Sequence, residues 1–241
     1  MKNYIGIARR LLHRLVLGRA LLEKIEENDK IITQAARITV DMEGDYLEFG
    51  VWGGASFADA YTAVQKASQW VPWKLTNLSN TQATGCRFFA FDSFEGLPEI
   101  KGIDQGGPFR KGDLSCGQQK FLDYLASKSI NLKDVICVKG WYKDTLTAEN
   151  RQRLGLFRAR IIHIDCDLYE SAREVLGFCT PLIQEGTVLI FDDWFQFRGN
   201  PDKGEQRAFR EWLEANPQLQ AVHFTTEPTF RNSFIISYRL S

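Results

Sequence analysis

Residues 160–171 read RIIHIDCDLYES, an apolar run that ends at two carboxylates, Asp165 and Asp167, on either side of a cysteine. Residues 188–195 read VLIFDDWF and repeat the pattern with Asp192 and Asp193. A run that is apolar at successive positions is typical of a parallel strand buried on both faces. Ligands of such sheets bind beyond the carboxyl ends of the strands. We therefore expect the chemistry of this protein at these acids.

The same alternation extends along the chain. Apolar runs predict five strands, each followed by a helical pattern, at residues 45–50, 87–94, 134–141, 159–165 and 186–193. Two further strands, LQAVHFTT and NSFIISYRL, follow with no room for a helix between them. These elements predict an α/β three-layer sandwich with a mostly parallel seven-stranded sheet and one antiparallel strand in a C-terminal hairpin. The predicted domain covers residues 44–241, after an N-terminal helical extension at residues 1–43.

Composition limits the class of protein. Lys and Arg together number 30 and so do Asp and Glu, so the formal net charge is zero. A nucleic-acid-binding protein usually carries a basic excess, so we expect no nucleic-acid partner. The five cysteines form no CxxC pair, which favours reduced thiols in a cytoplasmic protein. No apolar run reaches about 18 residues, so we expect no transmembrane helix.

The first 25 residues are basic and apolar, with apolar positions at helical spacing and four arginines among them. A signal peptide would need an unbroken apolar centre. We interpret the segment as an amphipathic helix that packs on its own domain or on a second subunit, and we expect a homodimer. A helix on an anionic membrane surface is the alternative.

The first strand ends in LEFGVWGGAS. Glu48 lies in the strand, and Gly50, Gly53 and Gly54 form the turn into the next helix. Glycines at this place let the backbone approach a ligand at the helix N-terminus. Trp52 stands where a dinucleotide-binding fingerprint has its second glycine, so a tight turn without a ligand is the alternative.

Two further strand ends carry candidate residues. Asp92 ends the second strand, where nucleotide-binding folds hold ribose hydroxyls with a carboxylate. A helix cap or a solvated loop acid is the alternative. Gly140 and Trp141 end the third strand, where they could lie against an adenine; a purely structural role is the alternative.

The opening acids predict a metal site. Asp165, Asp192 and Asp193 end neighbouring strands, and three carboxylates in one crevice repel one another unless a cation is present. Oxygen ligands favour Mg²⁺, Ca²⁺ or Mn²⁺. His163 is interpreted as a histidine of the core or of a sheet face. Asp167 is interpreted as the N-cap of the next helix, or alternatively as support for the site.

Six segments, in this order, carry a family likeness: YLEFGVWGGAS, FDSFEGLPE, KGWYKDTL, HIDCDLYES, LIFDDW and KGEQRAFREW. Together they resemble the macrocin, mycinamicin and novobiocin type of sugar O-methyltransferase over residues 44–236. The resemblance implies the Rossmann-like fold of class I methyltransferases, with S-adenosylmethionine and Mg²⁺ as cofactors.

The resemblance also implies roles for individual residues. It assigns seven residues to the methionine, ribose and adenine parts of S-adenosylmethionine: Glu48, Gly50, Gly54, Asp92, Ser93, Gly140 and Trp141. It assigns the metal to Asp165, Asp192 and Asp193, with Asp165 as the base that takes the acceptor's proton.

The expected activity is therefore Mg²⁺-dependent O-methylation of a hydroxyl on a small molecule, such as a sugar of a glycosylated natural product. A metal-independent methyltransferase and a non-catalytic S-adenosylmethionine-binding protein are the alternatives. The altered glycine turn and the acid pairs disfavour a nicotinamide oxidoreductase. The N-terminal region and residues 71–86 match no family segment, so the acceptor stays open.

Overall fold

The computed structural model describes residues 30–69, 85–227 and 230–240. The N-terminal amphipathic segment and nearly all of the 71–86 loop lie outside the described residues. Seven strands form one sheet: β1 (Asp45–Phe49), β2 (Phe88–Asp92), β3 (Val135–Lys139), β4 (Ala159–Ile164), β5 (Val188–Phe191), β6 (Leu219–Thr226) and β7 (Asn232–Tyr238).

Helices precede, separate and cover these strands. They are α1 (Ile31–Ile38), α2 (Ala55–Ser68), α3 (Gln118–Ser127), α4 (Tyr142–Thr145), α5 (Ala148–Arg153), α6 (Tyr169–Cys179) and α7 (Gly204–Ala215). Within the described ranges, no helix is long and apolar enough to cross a membrane.

The strand order is β3-β2-β1-β4-β5-β7-β6. Strands β1 to β5 pair in parallel, and β7 is antiparallel to both β5 and β6. The order reverses between β1 and β4, which is where α/β sheets of this kind open a ligand crevice. The predicted mostly parallel sheet with a closing hairpin is confirmed.

Successive strand residues bury opposite faces of the sheet, which is why the apolar runs are continuous. On one face Phe49, Phe91 and Phe191 pack against α6 and α7. On the other face Tyr46 and Phe88 pack against α1, α2 and α3. The described part of the N-terminal extension, α1, thus shares the core of the α/β domain.

Thr147 and Asp167 both precede helices, but only Thr147 caps its helix. Thr147 caps α5, accepting a 3.1 Å hydrogen bond from the Asn150 amide. The prediction that Asp167 caps α6 is wrong, because the N-cap of α6 is Leu168 and Asp167 stands at φ +61° with its side chain directed elsewhere. A positive φ at a non-glycine residue marks a position to examine for function.

Candidate active site

The sheet register brings the opening acids together. Ile164 of β4 pairs with Phe191 of β5, so Asp165 and Asp192 leave the sheet side by side. Side-chain ligand atoms of His163, Asp165 and Asp192 lie within 4.8 Å of one another, the spacing of groups that hold a cation. The structure thus joins two of the three predicted metal ligands directly and adds His163.

The carboxylates of this cluster repel one another. Burial, together with the charges of Asp192 and Asp193, holds the pKa of Asp165 well above its usual range. Burial and the charge of Asp192 raise the pKa of Asp193 to about 6. Carboxylates that are hard to ionise together would be relieved by a hard divalent cation.

His163 is the centre of a buried polar chain across the sheet. Its Nε2 lies 3.1 Å from Asp192 Oδ1, and its Nδ1 lies 3.3 Å from the Tyr46 hydroxyl and 3.7 Å from Glu48 Oε2. Burial works against the charged ring, but hydrogen bonds to Asp192 and Glu48 raise the pKa of His163 to about 10. The raised pKa favours the protonated ring, whose two nitrogens lie beside Asp192 and Glu48, and the ring orients Asp192.

Glu48 anchors the other end of this chain. Its side chain is fully buried, and it accepts hydrogen bonds from the Tyr46 hydroxyl and, at 2.6 Å, from Ser56 Oγ. Glu48 pairs with His163 in the register of β1 and β4. The sequence assigned Glu48 to the cofactor, whereas the structure places its carboxylate against His163.

A second cationic side chain, from the C-terminal hairpin, also contacts Asp192. Arg231, just before β7, donates from Nε to Asp192 Oδ1 at 2.5 Å and from Nη1 to Glu227 at 3.3 Å. Although burial opposes ionisation, His163 and Arg231 hold the pKa of Asp192 below its usual value. These two cationic side chains thus favour the ionised form of Asp192.

Asp193 points to a second group of acids. Its side chain hydrogen-bonds Asp167, and burial together with the Asp193 charge raises the pKa of Asp167 to about 9. The Asp193 amide donates to Glu205 Oε2 at 3.0 Å. Two buried oxygens, Asp193 Oδ2 and Glu205 Oε1, have no partner among the described residues. An unpartnered buried oxygen beside other acids is a suitable cation ligand.

The glycine turn after β1 is built around Asp92. Its Oδ2 accepts from the amides of Val51 at 2.8 Å and Trp52 at 3.3 Å, and its Oδ1 accepts from Phe94 at 2.6 Å. Gly50 stands at φ +86°, and a Cβ on it would lie 1.7 Å from the Asp165 carbonyl oxygen. The turn therefore requires glycine here and a carboxylate at Asp92.

A cavity of about 590 Å³ opens at these strand ends. Six predicted site residues line it: Gly50, Asp92, Ser93, Gly140, Trp141 and Asp165. Four predicted site residues do not line this cavity: Glu48, Gly54, Asp192 and Asp193. A Cβ on Gly54 would lie 2.9 Å from the ring of Phe121 on α3. The volume lies within the range of small-ligand sites, roughly 300–1,000 Å³.

The cavity wall includes a loop whose anchor the sequence did not reveal. Asp104, buried in a short 3₁₀ turn, accepts from the Tyr169 amide at 2.6 Å and from the Gly204 amide at 3.0 Å. One carboxylate thus ties the long loop after β2 to the starts of α6 and α7. In the sequence, nothing distinguishes Asp104 from other acids in loops. Glu205 and Arg231 were missed because no sequence pattern marks them either.

A family profile described as Macrocin-O-methyltransferase (TylF) matches residues 14–226. The chain belongs to the macrocin O-methyltransferase family. The resemblance of the six sequence segments is confirmed by this match, which covers most of the chain.

One curated relative in this family is the 8-demethyl-8-(2,3-dimethoxy-alpha-L-rhamnosyl)-tetracenomycin-C 4'-O-methyltransferase of Streptomyces olivaceus. It is 28% identical over 158 residues, which cover 63% of this chain and 53% of the relative. The match therefore spans about half the length of that protein.

Solved structures show the same fold. The O-methyltransferase NovP superposes with a TM-score of 0.68 at 18% identity, covering 88% of this chain and 80% of that chain. The calicheamicin methyltransferase CalS11 gives 0.66 at 18% identity, covering 94% of this chain and 90% of that chain. The fold is that of the class I methyltransferases.

Proposed function

We propose that the protein transfers a methyl group from S-adenosylmethionine to a hydroxyl of a small molecule, a sugar of a natural product, in a Mg²⁺-dependent reaction. The observation that carries the proposal is the placement of a ligand-sized cavity against a cluster of acids in this fold. The curated relative acts on a rhamnosyl group by its name, and CalS11 is described as a TDP-rhamnose 3'-O-methyltransferase.

The cavity supplies the cofactor site in this proposal. Gly50, Asp92, Ser93, Gly140 and Trp141 line the cavity. In this proposal Gly50 would let the backbone approach the cofactor, Asp92 and Ser93 would face its ribose, and Gly140 and Trp141 would border its adenine. Glu48 and Gly54 are proposed to shape the methionine end from behind the cavity wall. The Asp92 carboxylate already binds three backbone amides, so a ribose contact would use its remaining lone pairs.

Asp165, Asp192 and Asp193 are the proposed cation ligands. The donor set fits the ion, because the acids destabilise one another without a cation and Asp193 Oδ2 is buried without a partner among the described residues. His163 fits a ligand role less well, since its protonated ring has no free lone pair. A bound Mg²⁺ would orient the acceptor hydroxyl and lower its pKa.

The remaining catalytic roles fall to residues of this chain. As the new C–O bond forms and the donor's S–C bond breaks, the hydroxyl proton would pass to Asp165, which a bound Mg²⁺ would keep ionised despite its raised pKa. His163 and Arg231 fix Asp192 and hold its charge. The Asp104 anchor keeps the loop wall over the cavity, which limits water at the reacting atoms.

A metal-independent reaction has one observation in its favour. Asp192 already contacts two cationic side chains, His163 and Arg231, which compensate its charge without a metal. Such an enzyme would keep its activity in EDTA, and Asp192→Asn would leave its activity within a few-fold of wild type. The Mg²⁺-dependent proposal predicts loss of turnover in both cases.

We further propose a cytoplasmic homodimer. All five cysteines are free thiols, which suits a reducing compartment. Light scattering on the purified chain tests the dimer, and a monomeric mass contradicts it.

Isothermal titration with S-adenosylhomocysteine tests the cofactor site directly. We expect saturable binding at one site per chain. Replacing Trp141, which lines the cavity, with alanine should weaken this binding, whereas Gly53→Ala, in open space, should preserve it. Absence of binding to the wild-type protein contradicts the proposed function.

A further inference from the structure

One apolar surface of the C-terminal hairpin extends beyond the described helices. Val188 of β5 lies opposite Ile235 of β7, and Ile235 lies opposite Val222 of β6, so the three side chains share one face of the sheet. Val188 is fully buried in the cluster that contains α1, Ile235 is half-buried, and Val222 is 56% exposed. The cover that the described helices give this face therefore ends between β5 and β6.

Phe224 of β6 enlarges this surface. It is half-buried and packs against the same cluster as Ile235. The opposite face of the hairpin is covered, because Phe234 of β7 packs against Phe209 of α7 with ring centroids 4.7 Å apart. We call Val222, Phe224 and Ile235 the hairpin face.

The strand that carries most of this face is also an edge strand. β6 lies at one end of the strand order, and its eight residues, LQAVHFTT, include no Lys, Arg, Asp, Glu or Pro. Natural sheets protect their edges with charges, prolines, bulges or a covering helix or loop. Because β6 carries no charge or proline, we expect another element to cover it.

The described chain begins beside the hairpin face. The Ile31 amide, at the start of α1, donates to Glu227 Oε1 at 2.5 Å, and Glu227 directly follows β6. Twenty-nine residues precede Lys30 in the sequence. These residues therefore join the domain next to the carboxyl end of β6.

The sequence of these residues predicts an element of suitable length. Leu11, Leu15 and Leu22 recur at spacings of four and seven residues, which places them on one side of a helix. A helix over residues 5–25 would be about 30 Å long, and the strand β6 spans about 27 Å. Residues 26–29, EEND, are all polar, and four residues suffice for a loop between antiparallel helices. Since an amphipathic helix gains most of its stability from packing of its apolar side, this segment requires a surface.

The charges of the segment and of the domain are opposite. Residues 1–22 include five basic residues and no acidic residue. Because the formal net charge of the whole chain is zero, the remaining residues carry a net charge of −5. Opposite net charges favour association of the segment with the domain. An anionic membrane would also attract the segment, but it would leave the hairpin face exposed.

We propose that residues 5–25 form a helix that packs on the hairpin face of the same chain, antiparallel to α1. Its apolar side, which carries Leu11, Leu15 and Leu22, covers the hairpin face and shields the edge strand. The same chain supplies this helix because the short connection at residues 26–29 leads to the start of α1, beside the end of β6. The segment thereby completes the helix layer formed by α1, α2 and α3.

Photo-crosslinking in the full-length protein tests the proposal. The benzophenone amino acid p-benzoylphenylalanine replaces Val222 in one variant and Phe224 in a second, and mass spectrometry identifies the crosslinked peptides. We expect both variants to crosslink to residues 5–25 and to migrate at the monomer mass on a denaturing gel. The matched control carries the same group at His223, an exposed residue of the same strand whose ring lies 6.0 Å from that of Phe234 on the opposite face. This control should give no crosslink to residues 5–25.

Substitutions within the segment give a second reading. Leu15→Asp should abolish the crosslink from position 222, because it would place a carboxylate against apolar side chains. Arg9→Gln should preserve the crosslink, since Arg9 lies on the opposite side of the predicted helix from Leu11.

Absence of a crosslink to residues 5–25 from both positions overturns the proposal, and so does an equal yield from position 223. A product at twice the monomer mass means that the segment docks on a second copy of the chain, which also overturns it. Vesicles of phosphatidylserine test the membrane alternative. We expect the crosslink to persist in their presence, and its loss as the protein binds the vesicles would assign the segment to a membrane surface and contradict the proposal.

Discussion

Replacing Asp92 with asparagine tests whether this carboxylate stabilises the glycine turn or serves only to bind a ligand. Its two oxygens accept from the amides of Val51, Trp52 and Phe94 at 2.6–3.3 Å. Asparagine offers one oxygen, so at least one amide then faces an NH₂ group. Loss of a hydrogen bond to a charged group costs about 1.5–3 kcal/mol.

The free energy of unfolding should therefore fall by about 1.5–3 kcal/mol without any ligand present, with the melting temperature lower by about 3–12 °C for a chain of this size. Urea denaturation followed by circular dichroism measures the change. The control is Asp144→Asn: this exposed side chain makes no hydrogen bond or ion pair with the residues described, and we expect a change within about 0.5 kcal/mol. Equal stability of the Asp92 variant and wild type would refute the reasoning and leave Asp92 a pure ligand contact.

Other perturbations separate the roles of neighbouring residues. Gly50→Ala should lower the free energy of unfolding by at least about 3 kcal/mol, because the added Cβ would meet a carbonyl oxygen at a left-handed backbone angle. Gly53→Ala is the control, and its free energy of unfolding should be within about 0.5 kcal/mol of wild type in the same denaturation assay. Asp104→Ala should release the loop after β2, seen as faster limited proteolysis within residues 95–116; an unchanged cleavage rate contradicts the anchor. Asp165→Asn should abolish methyl transfer from labelled S-adenosylmethionine to deoxysugar acceptors, whereas Asp167→Asn should retain it, because an amide still donates to the neighbouring carboxylate; equal behaviour of the two contradicts this division.

The sheet and the meeting of its acids were predictable because both follow from local pattern. Continuous apolar runs specify buried parallel strands, and parallel strands end at a common edge. Asp165 and Asp192 therefore had to come close, whatever the loops did. The five parallel strands were predicted one or two residues too long at their carboxyl ends, because turns begin where side chains such as that of Asp92 bind the backbone.

The partners of the acids were not predictable from pattern. His163 looked like a core residue because it is one, and its charge follows from two acceptors on neighbouring strands. Arg231 and Asp104 act across 39 and 65 residues of sequence. The direction of the Asp167 side chain depends on a left-handed backbone angle. The position of Asp167 just before α6 therefore wrongly predicted a helix cap. Long-range pairing and backbone strain are what the sequence alone leaves undetermined here.

Cation binding by the acids at the ends of β4 and β5 is the central claim. Titration with Mn²⁺, followed by its electron paramagnetic resonance signal in the presence of S-adenosylhomocysteine, measures it without knowledge of the acceptor. We predict one saturable site per chain that Mg²⁺ displaces and that Asp192→Asn removes while circular dichroism stays unchanged. No saturable Mn²⁺ binding, or binding that survives in the Asp192 variant, would contradict the account.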